Sequence, residues 1–224
     1  MNCFEKWRRK LFFVFGLIPL CILLFSFINF IELEKTTYSE KNIQRDWLQA
    51  KPVAEILKTG DLILRHSRGT ISNMLVHFSL RDSRYSHAGI ISVEEGKVYV
   101  YHALGGEVTV NSNIRKETVE KFCDPSSVHS FGIYRLDLND QQIEQADFLV
   151  KDLFRKKIPF DTKYDLKTDS AMYCTEFVYK VLTRVSGDRN YLTLTRVPGL
   201  TYVACDDLYR NKHSTLIYSY TYSD

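Results

Sequence analysis

Beyond its amino-terminal tail the chain has no excess of charge of either sign. Lys6, Arg8, Arg9 and Lys10 against Glu5 supply the whole formal net charge of +3, and residues 11–224 carry 26 basic and 26 acidic side chains. Without a basic surplus on the folded part, nucleic acid is not an expected partner. Cysteine is scarce: five in all, of which only Cys123, Cys174 and Cys205 follow residue 31. At most one internal bridge can form from three thiols, Cys123 with Cys205 being one pairing, and at least one cysteine stays free even in an oxidising compartment. All three also fit as small buried apolar residues. No CxxC or HxxxH pair occurs, so a metal set built from His87, His102 and Cys174 lacks a short-spaced start, and neither metal nor other cofactor is expected. There is no internal repeat and no low-complexity stretch, which excludes solenoids and disordered arrays.

One long apolar segment is present. Residues 11–31 are 21 uncharged, mostly apolar residues, enough at about 1.5 Å per residue to cross a hydrocarbon core of about 30 Å. The basic cluster before it should stay cytoplasmic, which places the rest of the chain on the outer side of the cytoplasmic membrane. No small-x-small cleavage pattern follows, so an uncleaved single-pass anchor is expected rather than a signal peptide. The chain thus divides into a basic tail (1–10), a transmembrane anchor (11–31), a polar stalk (32–57) and one domain (58–224), the size of a single ordinary domain with an appendage.

Within the domain, Thr59-Gly60-Asp61 reads as a turn into a strand, and residues 70–78 carry Ile71, Met74, Leu75 and Phe78 at helical spacing. Strand-like runs follow at 87–93, at 98–103 with 108–110, and at 130–136, with a short helix expected over 114–122. Asn139 with Gln142 signs a helix start, and Ile143, Ala146, Val150, Leu153 and Phe154 mark its face up to Pro159. A further helix spans about 174–185 and stops at Gly187. Strands first and helices after predict an α+β fold with an antiparallel sheet.

Cys174, Phe177, Val178, Val181, Leu182 and Val185 lie on one apolar helix face, and the cysteine heads it. There the macrodipole and unpaired N–H groups favour a thiolate and offer an oxyanion site, although a small buried hydrophobe anchoring the helix fits the position as well. Strand alternation puts His87 on a face with Ile91 and Val93, and His102 on a face with Val98 and Val100. Two imidazoles on strand ends either pair with each other or are capped separately by carbonyls. Of the other histidines, His66 and His77 flank the first helix and His129 and His213 lie in polar surroundings. Glu176 and Lys180 read as an i, i+4 pair on the exposed face, worth a few tenths of a kcal/mol. Asp206 and Asp207 read as a helix start, and Arg155-Lys156-Lys157 as a helix end.

The succession Gly60-Asp61-Leu62-Ile63, Tyr85-Ser86-His87-Ala88-Gly89-Ile90, Tyr101-His102-Ala103, Tyr164-Asp165 and Tyr173-Cys174-Thr175-Glu176-Phe177-Val178 resembles the permuted NlpC/P60 papain-like cysteine hydrolases of the YiiX/YebB type. The resemblance spans about residues 58–208, with histidine before cysteine as the permutation demands. It implies a permuted papain-like α+β fold, a nucleophile at Cys174, a base at His87, an orienting third residue at His102, and an oxyanion or substrate-binding role near Tyr164 and Tyr173. Many relatives carry Glu in the third place, so His102→Glu is expected to keep much activity. The implied activity is an anchored peptidase or amidase acting on cell-envelope peptides. The alternatives are a lipid deacylase or acyltransferase like lecithin retinol acyltransferase, taking a lipid amide or ester, and a non-catalytic binding module.

Overall fold

The computed structural model describes residues 56–105 and 113–223. The expected tail, anchor and nearly all of the stalk, and the strand segment 108–110, lie outside the described residues.

Gly60, at φ +90°, turns the chain into β1 (Leu62–Ser67), a conformation that a side chain would strain. Then come α1 (Thr70–Leu75), a 3₁₀ turn (Val76–Phe78), β2 (His87–Glu94), β3 (Lys97–Ala103), β4 (Ile114–Thr118), α2 (Val119–Phe122) and β5 (Val128–Leu136). The chain closes with α3 (Asp140–Arg155), α4 (Cys174–Ser186), a ribbon of β6 (Thr195–Val197) and β7 (Leu200–Tyr202), α5 (Cys205–Tyr209) and β8 (Ser214–Thr221). Six strands form one sheet in the order β4-β3-β2-β1-β5-β8, every pairing antiparallel. This is the expected α+β class.

Alternation along the strands divides the core in two. Leu62, Leu64, Ala88, Ile90, Tyr101 and Ala103 face α3 and α4, against Val150, Phe177, Val181 and Leu182. Ile63, Ile91, Val100 and Ile133 face the other way, against Val119, Phe122 and Tyr222. Gly89 between β1 and β3 is required by close approach: a Cβ there would meet Val100 Cγ1 at 2.6 Å and the Tyr101 carbonyl at 2.9 Å.

The helix signals act as read. Gln142 N–H donates to Asn139 Oδ1 (2.9 Å) and Asn139 N–H to Gln142 Oε1 (3.0 Å), a reciprocal cap on α3. Gly187, at φ 67°, ends α4 in the left-handed region. Asp206 and Asp207 sit in the first turn of α5.

Two local readings are corrected. Residues 114–122 are not one helix: 114–118 pair with β3 as a strand, and Thr118 then caps α2 by accepting the Lys121 N–H at 3.3 Å. The ladder with β3 overrides a helical pattern too short to stand alone. The Glu176–Lys180 pair is buried, not exposed. Glu176 Oε2 accepts the Tyr173 N–H (3.1 Å), Oε1 lies 2.8 Å from Lys180 Nζ, and the Lys180 ammonium also meets Asp169 at 2.8 Å and the Thr168 carbonyl. The apolar residues at helical spacing over α1 and the 3₁₀ turn stand largely in solvent: Ile71, Met74 and Phe78 are 51%, 62% and 53% exposed. All three described cysteines are free.

Candidate active site

Antiparallel pairing brings together residues distant in sequence. β2 starts at His87, β3 carries His102, and the register that sets Ile90 beside Tyr101 lays the two imidazoles side by side. His87 Nε2 and His102 Nδ1 are 2.8 Å apart, with the rings nearly perpendicular (89°). Phe122 from α2 packs against both rings, at 5.8 and 5.2 Å between centroids. His102 is fully buried and His87 nearly so. Burial, reinforced by the Arg65 charge, pushes the His87 pKa well below its ordinary value. Burial also lowers that of His102, against the opposing pull of Glu117. Both rings are neutral bases at neutral pH.

Arg65, directly opposite His87 in the β1–β2 register, closes the other side. Its guanidinium lies 4.4 Å from the centre of the Phe122 ring, Nη1 donates to the Phe122 carbonyl at 2.8 Å, and the buried Nε has no hydrogen-bond partner among the described residues. A fixed positive charge therefore stands beside both imidazoles and the Cys174 thiol.

Cys174 is the first residue of α4 and is partly exposed. Its sulfur lies against the main-chain N–H groups of Ala88, Thr175 and Cys174 itself. These groups and Arg65 favour the thiolate, but burial outweighs them and pushes the thiol up to about 11. The resting site thus holds a thiol and neutral imidazoles, not the thiolate that the helix terminus alone predicts, because desolvation exceeds the macrodipole here. No hydrogen bond joins Cys174 to His87 among the described residues.

Cys174 opens into a cavity of about 210 Å³ walled largely by apolar groups, among them Leu75, Phe78, Phe160, Leu200 and Tyr202. Tyr164 and Tyr173 both line it, with ring centroids 5.0 Å apart. Tyr164 is 39% exposed, at φ 55°, with its pKa raised by burial and by the nearby Cys174, so its hydroxyl keeps its proton. Tyr173 is buried, and its hydroxyl accepts the Val203 N–H at 2.9 Å, which fixes the cavity wall. His66 bonds Asn73 and stands apart from the site.

The sequence reading missed Glu117. It projects from β4 with Oε2 3.3 Å from His102 Nε2, too oblique for a straight hydrogen bond, and its Oε1 is 3.3 Å from Lys121 Nζ. Read as a helix, 114–122 hides this residue; the alternation of Ile114, Lys116 and Thr118 with Arg115 and Glu117 was the signal that would have placed it.

Residues 56–218 match the model of a family described as permuted papain-like amidase enzyme, YaeF/YiiX, C92 family. A solved structure described as the metalloprotein yiiX from Escherichia coli O157:H7 superposes with a TM-score of 0.60 at 18% identity, covering 73% of this chain and 98% of that one. At that identity the likeness concerns the fold alone. Comparison with curated protein sequences gives no match. The residues here do not fit a metal centre: the two imidazoles turn nitrogens toward each other, and among the described residues no group of three His, Cys, Asp or Glu is placed to hold a metal ion.

Proposed function

The chain belongs to the permuted papain-like amidase family of the YaeF/YiiX type, and on that premise we propose that it hydrolyses amide bonds through Cys174, His87 and His102. The observation that carries this reading is the 2.8 Å contact between His87 Nε2 and His102 Nδ1, with the Cys174 sulfur at a helix N-terminus against the N–H of Ala88, the residue that follows His87. With Nε2 engaged, Nδ1 of His87 is left to take the thiol proton as the sulfur attacks the substrate carbonyl. The Cys174 N–H and the protonated Tyr164 hydroxyl are the donors within the cavity suited to the oxyanion. The imidazolium then protonates the departing amine, leaving an acyl-enzyme. Water, deprotonated by His87, releases the acid and restores the thiol.

We further propose, from residues 6–31 of the sequence, that the domain is anchored at the cytoplasmic membrane and acts on its outer side, where envelope peptides are the substrates in reach. One observation favours a second reading: the cavity beside Cys174 is mainly apolar, and Leu75 and the exposed Phe78 form part of its wall. Such a wall suits the hydrocarbon part of a lipid amide or ester better than a polar peptide.

Single-turnover acylation of purified protein by an activated ester tests the chemistry. Label should appear on Cys174 and be lost in Cys174→Ala, with His87→Ala nearly inert; equal acylation of wild type and His87→Ala would overturn the catalytic reading in favour of a binding module. Product analysis with envelope peptides and with long-chain acyl amides then separates the two substrate classes.

A further inference from the structure

The buried imidazole pair poses a problem of proton order. A neutral histidine carries one ring proton, and the His87–His102 contact works in either direction. If His102 donates from Nδ1, the proton of His87 must sit on Nδ1, where it blocks acceptance from the thiol. Only the opposite order, with His87 Nε2–H donating to His102 Nδ1, leaves His87 a base on its free side.

We propose that Glu117 is the positioning residue that sets this order, holding the proton of His102 on Nε2 so that His102 Nδ1 accepts from His87 and the lone pair of His87 Nδ1 stays free for the Cys174 proton. The proposal rests on Cys174 and His87 acting as nucleophile and base. Among the described residues Glu117 is the carboxylate in contact with the fully buried His102, Oε2 to Nε2 at 3.3 Å. No hydrogen-bond acceptor among the described residues meets Nε2 in good alignment. A carboxylate facing an imidazole nitrogen is attracted to an N–H and repelled by a lone pair, and with the surroundings dry the difference is large. The groups that face this pair reinforce the choice. From α2, Lys121 Nζ lies 3.3 Å from Glu117 Oε1 and helps keep the carboxylate ionised. From β1, Arg65 opposes a positive charge on either ring, as does Arg115 on β4 toward His102. The contact with His102, the largest influence on Glu117, and Lys121 hold its pKa down at about 2, so the carboxylate is charged throughout the working range. A charged acceptor at one end of a neutral two-imidazole chain orders every proton along it.

The order is read directly in the native protein from long-range ¹H–¹⁵N imidazole correlations, with His87 and His102 assigned by single-histidine replacement. Both should show the Nε2–H pattern; His102 protonated at Nδ1 would overturn the proposal without any variant having to fold. The functional test is the pH dependence of Cys174 alkylation by iodoacetamide in wild type, Glu117→Gln, Glu117→Asp and His87→Ala, with melting curves to establish folding. Wild type should react on a plateau that reaches neutral pH. Glu117→Gln, whose amide can also donate to His102, should lose that plateau and react only as the thiol itself ionises. The neutral-pH loss should be roughly a hundredfold to ten-thousandfold, the scale of a wrong-tautomer error. Glu117→Asp, which keeps the charge, should retain more of the plateau than Glu117→Gln. A plateau lost in His87→Ala but intact in Glu117→Gln would refute the role of Glu117 and leave the Cys–His pair standing. A plateau intact in His87→Ala would refute both.

Discussion

At the scale of single residues, the character of the site comes from a thiol raised by burial and two imidazoles lowered by it. In the proposed mechanism, proton transfer from Cys174 to His87 therefore accompanies attack on an electrophile rather than preceding it, and a substrate carbonyl adds an oxyanion that the N–H groups can hold. Replacing His102 probes how the base is oriented. Glutamine can accept the His87 Nε2–H and donate toward Glu117, whereas His102→Glu, expected to be tolerated from sequence, would set a second carboxylate beside Glu117 in a fully buried place. Like charges so close cannot both ionise cheaply. His102→Gln should thus retain at least tenfold more acylation activity than His102→Glu, reading about 1.4 kcal/mol for each factor of ten. Equal activities, with both proteins folded, would show that Glu117 does not approach His102 in solution. Reactivity should also be selective among the described cysteines. Cys123 and Cys205 are buried with raised thiol pKa values, so brief alkylation of the native protein followed by peptide mapping should find Cys174 modified ahead of both.

At the scale of elements, α4 does two jobs: its apolar face fills the core, and its first turn delivers the cysteine. The turn is held by Glu176, which accepts the Tyr173 N–H and pairs with Lys180, itself tied to the loop at Asp169. Removing one member of a buried pair strands the other charge. Lys180→Met should cost about 3–5 kcal/mol, a fall in thermal midpoint of about 6–20 °C for a domain of this size. The double variant Glu176→Gln/Lys180→Met should recover a large part of that loss, because no charge is then left unpaired. No recovery would mean that each side chain acts through packing alone. The short α1 is a different kind of element, lending Leu75 to the cavity wall while Ile71 and Met74 stand exposed. If the cavity takes an acyl chain, Leu75→Lys should lower turnover of long-chain acyl amides several-fold while leaving acylation by a short activated ester unchanged. A parallel fall in both would tie α1 to the chemistry and not to the chain.

At the scale of the whole molecule, burial of two neutral histidines makes stability depend on pH. An unfolded histidine binds a proton near pH 6.5, while the folded rings resist until lower values. Stability is therefore complete above about pH 6.5 and declines as pH falls below it, because the unfolded state then binds more protons. Glu117 adds to this lower down: held at about 2 against an ordinary 4.5, it contributes stability above 4.5 that is lost as pH falls toward 2. Denaturation curves for wild type should shift to lower denaturant between about pH 6.5 and pH 5, and His87→Gln/His102→Gln should flatten that dependence. An unchanged slope in the double variant would place the responsible groups elsewhere.

Much of this organisation is written in local spacing. The apolar face headed by Cys174, the cap formed by Asn139 and Gln142, the stop at Gly187 and the placing of His87 and His102 on strands all follow from periodicities of 3.6 and 2 and from the chemistry of chain ends. These features need only neighbours within a few residues. The rest required the tertiary structure, because periodicity marks a face without saying what covers it. The same i, i+4 spacing that reads as a surface pair in Glu176 and Lys180 is buried and tied to Asp169 and the Thr168 carbonyl, and the apolar residues Ile71 and Met74, at helical spacing, are left bare. Glu117 and Arg65 come from strands on opposite sides of the histidine pair, β4 and β1, and only the register of the sheet brings them to it. The ionisation of Cys174 is likewise a sum of burial and distant charge, quantities that exist only once the chain has closed around it.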